Sequence, residues 1–233
     1  MHIPDGWVDP AFIIVTWIIT IAAIAVAIRK LRDVDETRIA YMAVLGGTIF
    51  AAQMLNFPII GGTSGHLLGG VLAAAIVGPW AAILIITVIL IIQALLFADG
   101  GVLALGPNIF NMGIIGVFVG YIIIIIFVKN TDPEKAKLRY YGGIFCGAFL
   151  SVVTASFFAA LEIGTPIINS PAAIPLIIAL PTIVFYHILI GLGEGMITCL
   201  IIFYFHSIDL NVFLELESPS IQIPRVRRYR SGD

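Results

Sequence analysis

The sequence predicts an all-α, polytopic integral membrane protein with seven transmembrane helices, the N-terminus outside and the C-terminus in the cytoplasm. Three observations carry this. Sixty per cent of the 233 residues are apolar and the mean hydropathy is +1.09, far above the roughly 45–50% apolar content of a soluble domain. Charged residues make up only 11% and gather in short stretches, which leaves apolar runs of membrane-spanning length. The basic clusters alternate with those runs so that all of them fall on one side. The net charge of −2 identifies no partner, and no basic, aromatic-studded patch suggests nucleic acid. Cys146 and Cys199 lie in apolar runs with no CxxC spacing and read as small buried hydrophobes.

The first run, Ala11 to Ile28, is followed by Arg29, Lys30, Arg32 and Arg38. A signal peptide carries its positive charge ahead of the apolar core, so this run reads as a true span with its basic end in the cytoplasm. Ile39 to Leu55 returns outward and carries Ala43, Gly47 and Ala51, a four-residue rhythm that lets another helix approach closely. Packing inside the same bundle and contact with another subunit are both open for that face. Asn56 to His66 is too rich in Gly and Pro for continuous helix and falls outside.

Leu67 to Gly78 is thin for a crossing and breaks at Pro79-Trp80, which predicts a short span supported by protein. Ala81 to Phe97 goes out to the turn-rich stretch from Ala98 to Asn108, and Ile109 to Val128 comes back. Lys129 to Arg139 is a cytoplasmic loop, and Tyr140 to Leu161 crosses outward. Gly164 to Pro175 lies outside. Leu176 to Phe205 is longer than one crossing needs, so Pro181 marks a bend or the helix start. Residues 1–208 form a single transmembrane domain, and 209–233 a short basic tail with Arg225, Arg227, Arg228 and Arg230.

This topology sorts the polar residues. A histidine directly after Met1 places the α-amine, the His2 main-chain nitrogen and the His2 imidazole within chelating reach, closing a five- and then a six-membered ring on a metal. On the dipeptide alone a frayed terminus is the ordinary reading. His66, in the outer loop, offers a fourth nitrogen on the same face, although a lone loop histidine is more often structural. Four nitrogens in a plane favour Ni(II) or Cu(II); Zn(II) prefers a tetrahedron and Mg(II) wants oxygens.

Asp5, Thr63, Asp99, Asn108 and Asn111 could orient an imidazole or hold the terminal segment, with loop capping as the competing role. His187 and Glu194 lie seven apart on one face of the last helix, and they either serve function or satisfy each other or backbone groups within the bundle. No G-x-x-x-x-G-K-[ST] loop occurs, so ATP phosphates are not held in the usual way. Two rival classes are an intramembrane metalloenzyme, against which stands the absence of H-E-x-x-H, and a capture subunit for an organic vitamin.

Six blocks stand out in order: Met1 to Gly6, Phe57 to Gly70, Gly78-Pro79-Trp80-Ala81, Gln93 to Gly101, Leu105 to Gly113, and Tyr186-His187 with Gly191-Leu192-Gly193-Glu194. In these the chain resembles the CbiM/NikM family, substrate-capturing (S) subunits of energy-coupling-factor (ECF) transporters for cobalt and nickel. The resemblance runs from Met1 to about Phe205 and implies seven spans in a multi-pass protein of a prokaryotic cell membrane. It implies a planar site made by the Met1 amine, the His2 amide and imidazole, and His66, holding Ni(II) or Co(II) as transported substrate, with no cofactor and no enzymatic activity of its own. It further implies partners: a membrane coupling (T) subunit, for which Ala43, Gly47 and Ala51 are candidate contacts, two ATP-binding cassette ATPase subunits, and in some systems a small auxiliary membrane subunit.

Overall fold

The computed structural model describes residues 1–59 and 63–208; the expected basic tail lies outside the described residues. Helix α1 (Pro10–Lys30) starts where the Asp9 carboxylate accepts from the Ala11 amide, with Pro10 in its first turn, and ends on Arg29 and Lys30, which suit the negative end of the helix dipole. Helix α2 (Glu36–Gln53) is capped by Asp35, which accepts from the Arg38 amide at 2.7 Å. Arg38 also donates from its guanidinium to the Val77 carbonyl at 2.6 Å, at the C-terminal end of α3 (Gly70–Val77).

Between α2 and α3 the chain forms a two-stranded antiparallel hairpin, β1 (Phe57–Ile59) with β2 (Thr63–Gly65). The all-α expectation is thereby amended: Pro58 and the glycines prevent helix, and the segment pairs its own main chain instead. Helix α3 has eight residues and is buried on every side except at Ile76. Gly78, at φ 82°, breaks the chain, and α4 (Pro79–Leu96) begins at once with proline in the first turn.

Helix α5 runs from Leu105 to Val128 and opens into π geometry over Ile109–Ile115. Helices α6 (Lys137–Gly164) and α7 (Leu176–Ser207) are the longest, and Pro181 lies inside α7 rather than at its start. Glycines bring the last three helices together: Gly120 of α5 against Gly147 of α6, and Gly191 and Gly195 of α7 against Phe149 and Phe145. Five helices, α1, α4, α5, α6 and α7, are long and apolar enough to cross a membrane. Helix α2 matches α4 in length at 18 residues, but Thr37, Gly46, Gly47, Thr48 and Gln53 dilute its apolar content. Cys146, expected to be buried, is exposed, and Cys199 is partly buried; both thiols are free.

Candidate metal site

The N-terminus is not frayed. Met1 is 1% exposed, His2 3% and Ile3 0%, because the first nine residues thread between loops and spend their polar groups there. The Asn108 side chain acts as a strand edge for Ile3: its Oδ1 accepts from the Ile3 amide at 2.9 Å and its Nδ2 donates to the Ile3 carbonyl at 3.1 Å. The Gly101 amide donates to the same carbonyl at 2.9 Å, and a side chain at Gly101 would collide with Asp5. Asp5 accepts from the amides of Val102 and Ala104.

Further on, Asp9 gathers the amides of Ile167, Ile168 and Asn169 at 2.7–2.9 Å on one carboxylate oxygen. Burial opposes its ionisation, yet these bonds and the one from Ala11 hold Asp9 below the usual carboxylate range. Asp5 and Asn108 are thus ties for the terminal segment, and neither touches an imidazole through a hydrogen bond.

Those ties deliver three nitrogens to one point. Ser64 Oγ lies 3.2 Å from the Met1 amine, 3.1 Å from the His2 main-chain nitrogen and 3.1 Å from His2 Nδ1. The other ring nitrogen, Nε2, lies 2.9 Å from Gln93 Oε1 and donates to it. The His66 ring stacks on that of His2, centroids 4.5 Å apart and planes 25° from parallel. His66 Nδ1 donates to the Leu67 carbonyl at 2.7 Å, and Nε2 is buried without a hydrogen-bond partner.

Asp99 Oδ1 stands 3.1 Å from His2 Nδ1, and its second oxygen accepts from Asn56. Thr63 is buried in the same wall with its hydroxyl unpartnered, beside a cavity of about 540 Å³ that His2, Ser64 and Asp99 also line.

The protonation states follow from burial. Desolvation drives the Met1 amine well below its ordinary pKa, against the pull of Asp99. Desolvation also lowers His2, and His66 is pushed well down by burial, by the terminal amine and by His2. Asp99 resists its own burial through the His2 contact and stays below the usual carboxylate range. Burial thus disfavours the charged forms of all three nitrogen bases, which stand beside the Asp99 carboxylate. No group of three or more His, Cys, Asp or Glu side chains among the described residues is disposed to hold a metal, and the set described here draws two of its nitrogens from the main chain instead.

Other expected residues lie deeper. Asn111 donates to Glu162 at 2.7 Å, away from the imidazoles. Glu194 accepts from the amides of Leu68 and Gly69 at 2.8 and 2.6 Å, which ties α7 to the chain just past His66. His187 bonds the Ile183 carbonyl, so His187 and Glu194 do not satisfy each other. Ser64 and Gln93 were not singled out from the sequence. Ser64 lies two residues before His66 on an extended segment and hence on its face; Gln93 is a polar residue in an otherwise apolar helix.

Five membrane-length apolar helices define a multi-pass membrane protein, and a pocket of nitrogens is built around its own N-terminus. Residues 2–212 match the family model CbiM, cobalt uptake substrate-specific transmembrane region, and the chain belongs to that family. A fused protein of Archaeoglobus fulgidus bearing the name NikMN is 37% identical, covering 94% of this chain and 70% of its own. The fused nickel transport protein NikMN of Rhodobacter capsulatus is 32% identical over 97% of this chain and 65% of its own. A crystal structure of a transition metal transporter is similar at 34% identity with a TM-score of 0.80, covering 91% of this chain and 95% of that one.

Proposed function

We propose that this chain captures Ni(II) or Co(II) at the outer membrane face and delivers it inward as the substrate-specific subunit of an ATP-driven ECF-type importer. The ligands are the Met1 amine, the His2 main-chain nitrogen, His2 Nδ1 and His66 Nε2. The observation that carries this is the convergence of the three Met1–His2 nitrogens, 3.1–3.2 Å from one oxygen, beneath an imidazole whose Nε2 has no other partner.

Capture requires each donor to present a lone pair. The amine and imidazoles already do, because burial keeps them neutral. The His2 amide must lose its proton to solvent, which Ni(II) and Cu(II) promote better than Zn(II). A divalent ion, a deprotonated amide and the Asp99 carboxylate together carry no net charge, which relieves the cost of burying the ion. Gln93 holds the imidazole of His2 in the tautomer that binds through Nδ1.

In this reading α2 and the sheltered α3 complete seven crossings, with the N-terminus outside and the basic tail in the cytoplasm of a prokaryotic cell. Ala43, Gly47 and Ala51 are all exposed, and Ala43 and Gly47 line, with α4, a groove of about 530 Å³, a seat for the membrane coupling subunit. Two ATP-binding subunits supply the work, joined by a small auxiliary membrane subunit where the system has one.

The test is the terminus itself. Purified protein with a native Met1 retains Ni(II) or Co(II) through gel filtration, and one extra residue ahead of Met1 abolishes retention, whereas a C-terminal tag does no harm. Undiminished binding by the extended form sinks the proposal.

A further inference from the structure

At the end of α5 remote from Asn108, a cavity of about 640 Å³ opens between that helix and the start of α6. Lys135, Lys137 and Arg139 stand on its rim, and Phe127, Gly142, Gly143 and Cys146 form an apolar floor. The connecting segment 129–139 carries four cations, Lys129, Lys135, Lys137 and Arg139, against two acids, Asp132 and Glu134. Lys135 and Lys137 meet those acids at 3.3 and 3.2 Å, but both pairs are exposed, and such pairs yield readily to a better anion. Arg139 makes no ion pair among the described residues. Its Nε donates to the Phe127 carbonyl at 3.2 Å, which ties the guanidinium to the mouth of the cavity and leaves two terminal nitrogens for an anion.

Below the rim the cavity continues along α6. Arg139, Gly142, Cys146 and Leu150 follow at three- and four-residue steps and share one face of that helix. A side chain at Gly143 would collide with Phe127, so α5 lies close beside this face, yet a Cβ on Gly142 would meet nothing within 4 Å. The outcome is an open slot, with Cys146 and Leu150 exposed along it. From Arg139 to Leu150 the helix rises about 16 Å, close to half the roughly 30 Å hydrocarbon thickness of a bilayer.

We infer that this cavity binds one anionic phospholipid, with its phosphate among Lys135, Lys137 and Arg139 and an acyl chain along the slot at Gly142 and Cys146. A planar guanidinium takes two phosphate oxygens at once, and the lysines add point charge. A soluble phosphate would use the rim and leave the slot empty. A zwitterionic lipid would fill the slot but bring its own cation to a rim that already holds three. Only a lipid with a negative headgroup uses both halves of the cavity. The inference depends on the chain's crossing a membrane and not on metal capture.

Full-length protein in detergent is offered phosphatidylglycerol or phosphatidylcholine with the same acyl chains, and native mass spectrometry counts the lipid retained. Wild type retains phosphatidylglycerol in preference. Arg139→Gln lowers that preference about fivefold, the worth of one cation at an anionic surface. Lys129→Gln removes the same charge from the same segment but lies outside the cavity, and it leaves the preference unchanged. Gly142→Leu fills the slot with every charge kept and also lowers retention of phosphatidylglycerol. Unaltered thermal unfolding shows that each variant is folded, and the two polar variants, both at exposed positions, decide the question even where Gly142→Leu does not fold. Equal retention of the two lipids by wild type, or equal losses in Arg139→Gln and Lys129→Gln, overturns the inference. So does displacement of the lipid by an equal concentration of glycerol phosphate, which would make this a site for a soluble phosphate.

Discussion

Two faces of this molecule carry the same rhythm of small residues and use it in opposite ways. Along α5, α6 and α7 the glycines are consumed inside the bundle. A Cβ on Gly147 would stand 2.9 Å from the Gly120 carbonyl oxygen, and one on Gly195 would stand 2.7 Å from the Phe145 ring. On α2, Ala43, Gly47 and Ala51 face outward, and a Cβ on Gly47 would meet nothing within 4 Å. Spacing says that a close approach is possible; only the neighbours say whether it has already been made. A glycine that packs nothing in its own chain lowers helix propensity by about 1 kcal/mol without return there, which is why the proposed partner contact is set on α2.

The sharpest way to break this contrast is to fill both faces. Gly147→Leu should destabilise the protein by about 1–3 kcal/mol or more, since backbone rather than a flexible side chain stands in the way. Thermal unfolding in detergent reads this, and an unchanged midpoint would mean the α5–α6 crossing is loose.

Acid acts on neither face, so it tests whether the outer pocket is independent of both. The unfolded chain takes up protons at the terminal amine and the imidazoles from about pH 8 and about pH 6.5 downward. The fold holds those groups neutral, with pKa values lowered for Met1, His2 and His66. The unfolded state binds more protons there, so metal-free stability falls with pH below those values, by up to about 1.4 kcal/mol per unit for each group. The loss should be equal in wild type and in either glycine variant, as expected for distant sites. Unequal losses would couple pocket and seam.

Gly47→Leu should give the smallest effect on stability, within about 0.5 kcal/mol, and leave metal retention intact while uptake by cells falls. Normal uptake would remove α2 as the partner face.

Much of the bundle was legible because apolar runs punctuated by Gly, Pro and charge announce themselves. The break at Gly78-Pro79 and the loop from Gly164 fall where the sequence puts them. The hairpin was not legible, because a strand of three residues is too short to show a period. Nor was the π segment at Ile109–Ile115, whose register change leaves the composition untouched. At the site, Met1, His2, His66 and Asp99 lie together at one end of the bundle. Asn111 was grouped with them as a residue of the loops and helix tops, yet it meets Glu162 while Asn108 meets Ile3. Ser64 escaped notice because a serine in a Gly-rich loop looks like turn chemistry until its three nitrogens are seen.

The clasp between Asp9 and the amides of Ile167, Ile168 and Asn169 has a consequence for biosynthesis. The N-terminus leaves the ribosome first, but its anchor is made some 160 residues later. Until α6 has emerged and the loop beyond it has turned, Asp9 lacks this anchor, while Ile3 and Asp5 already have theirs in residues 101–108. The order of synthesis thus closes the clasp only after most of the bundle has been made.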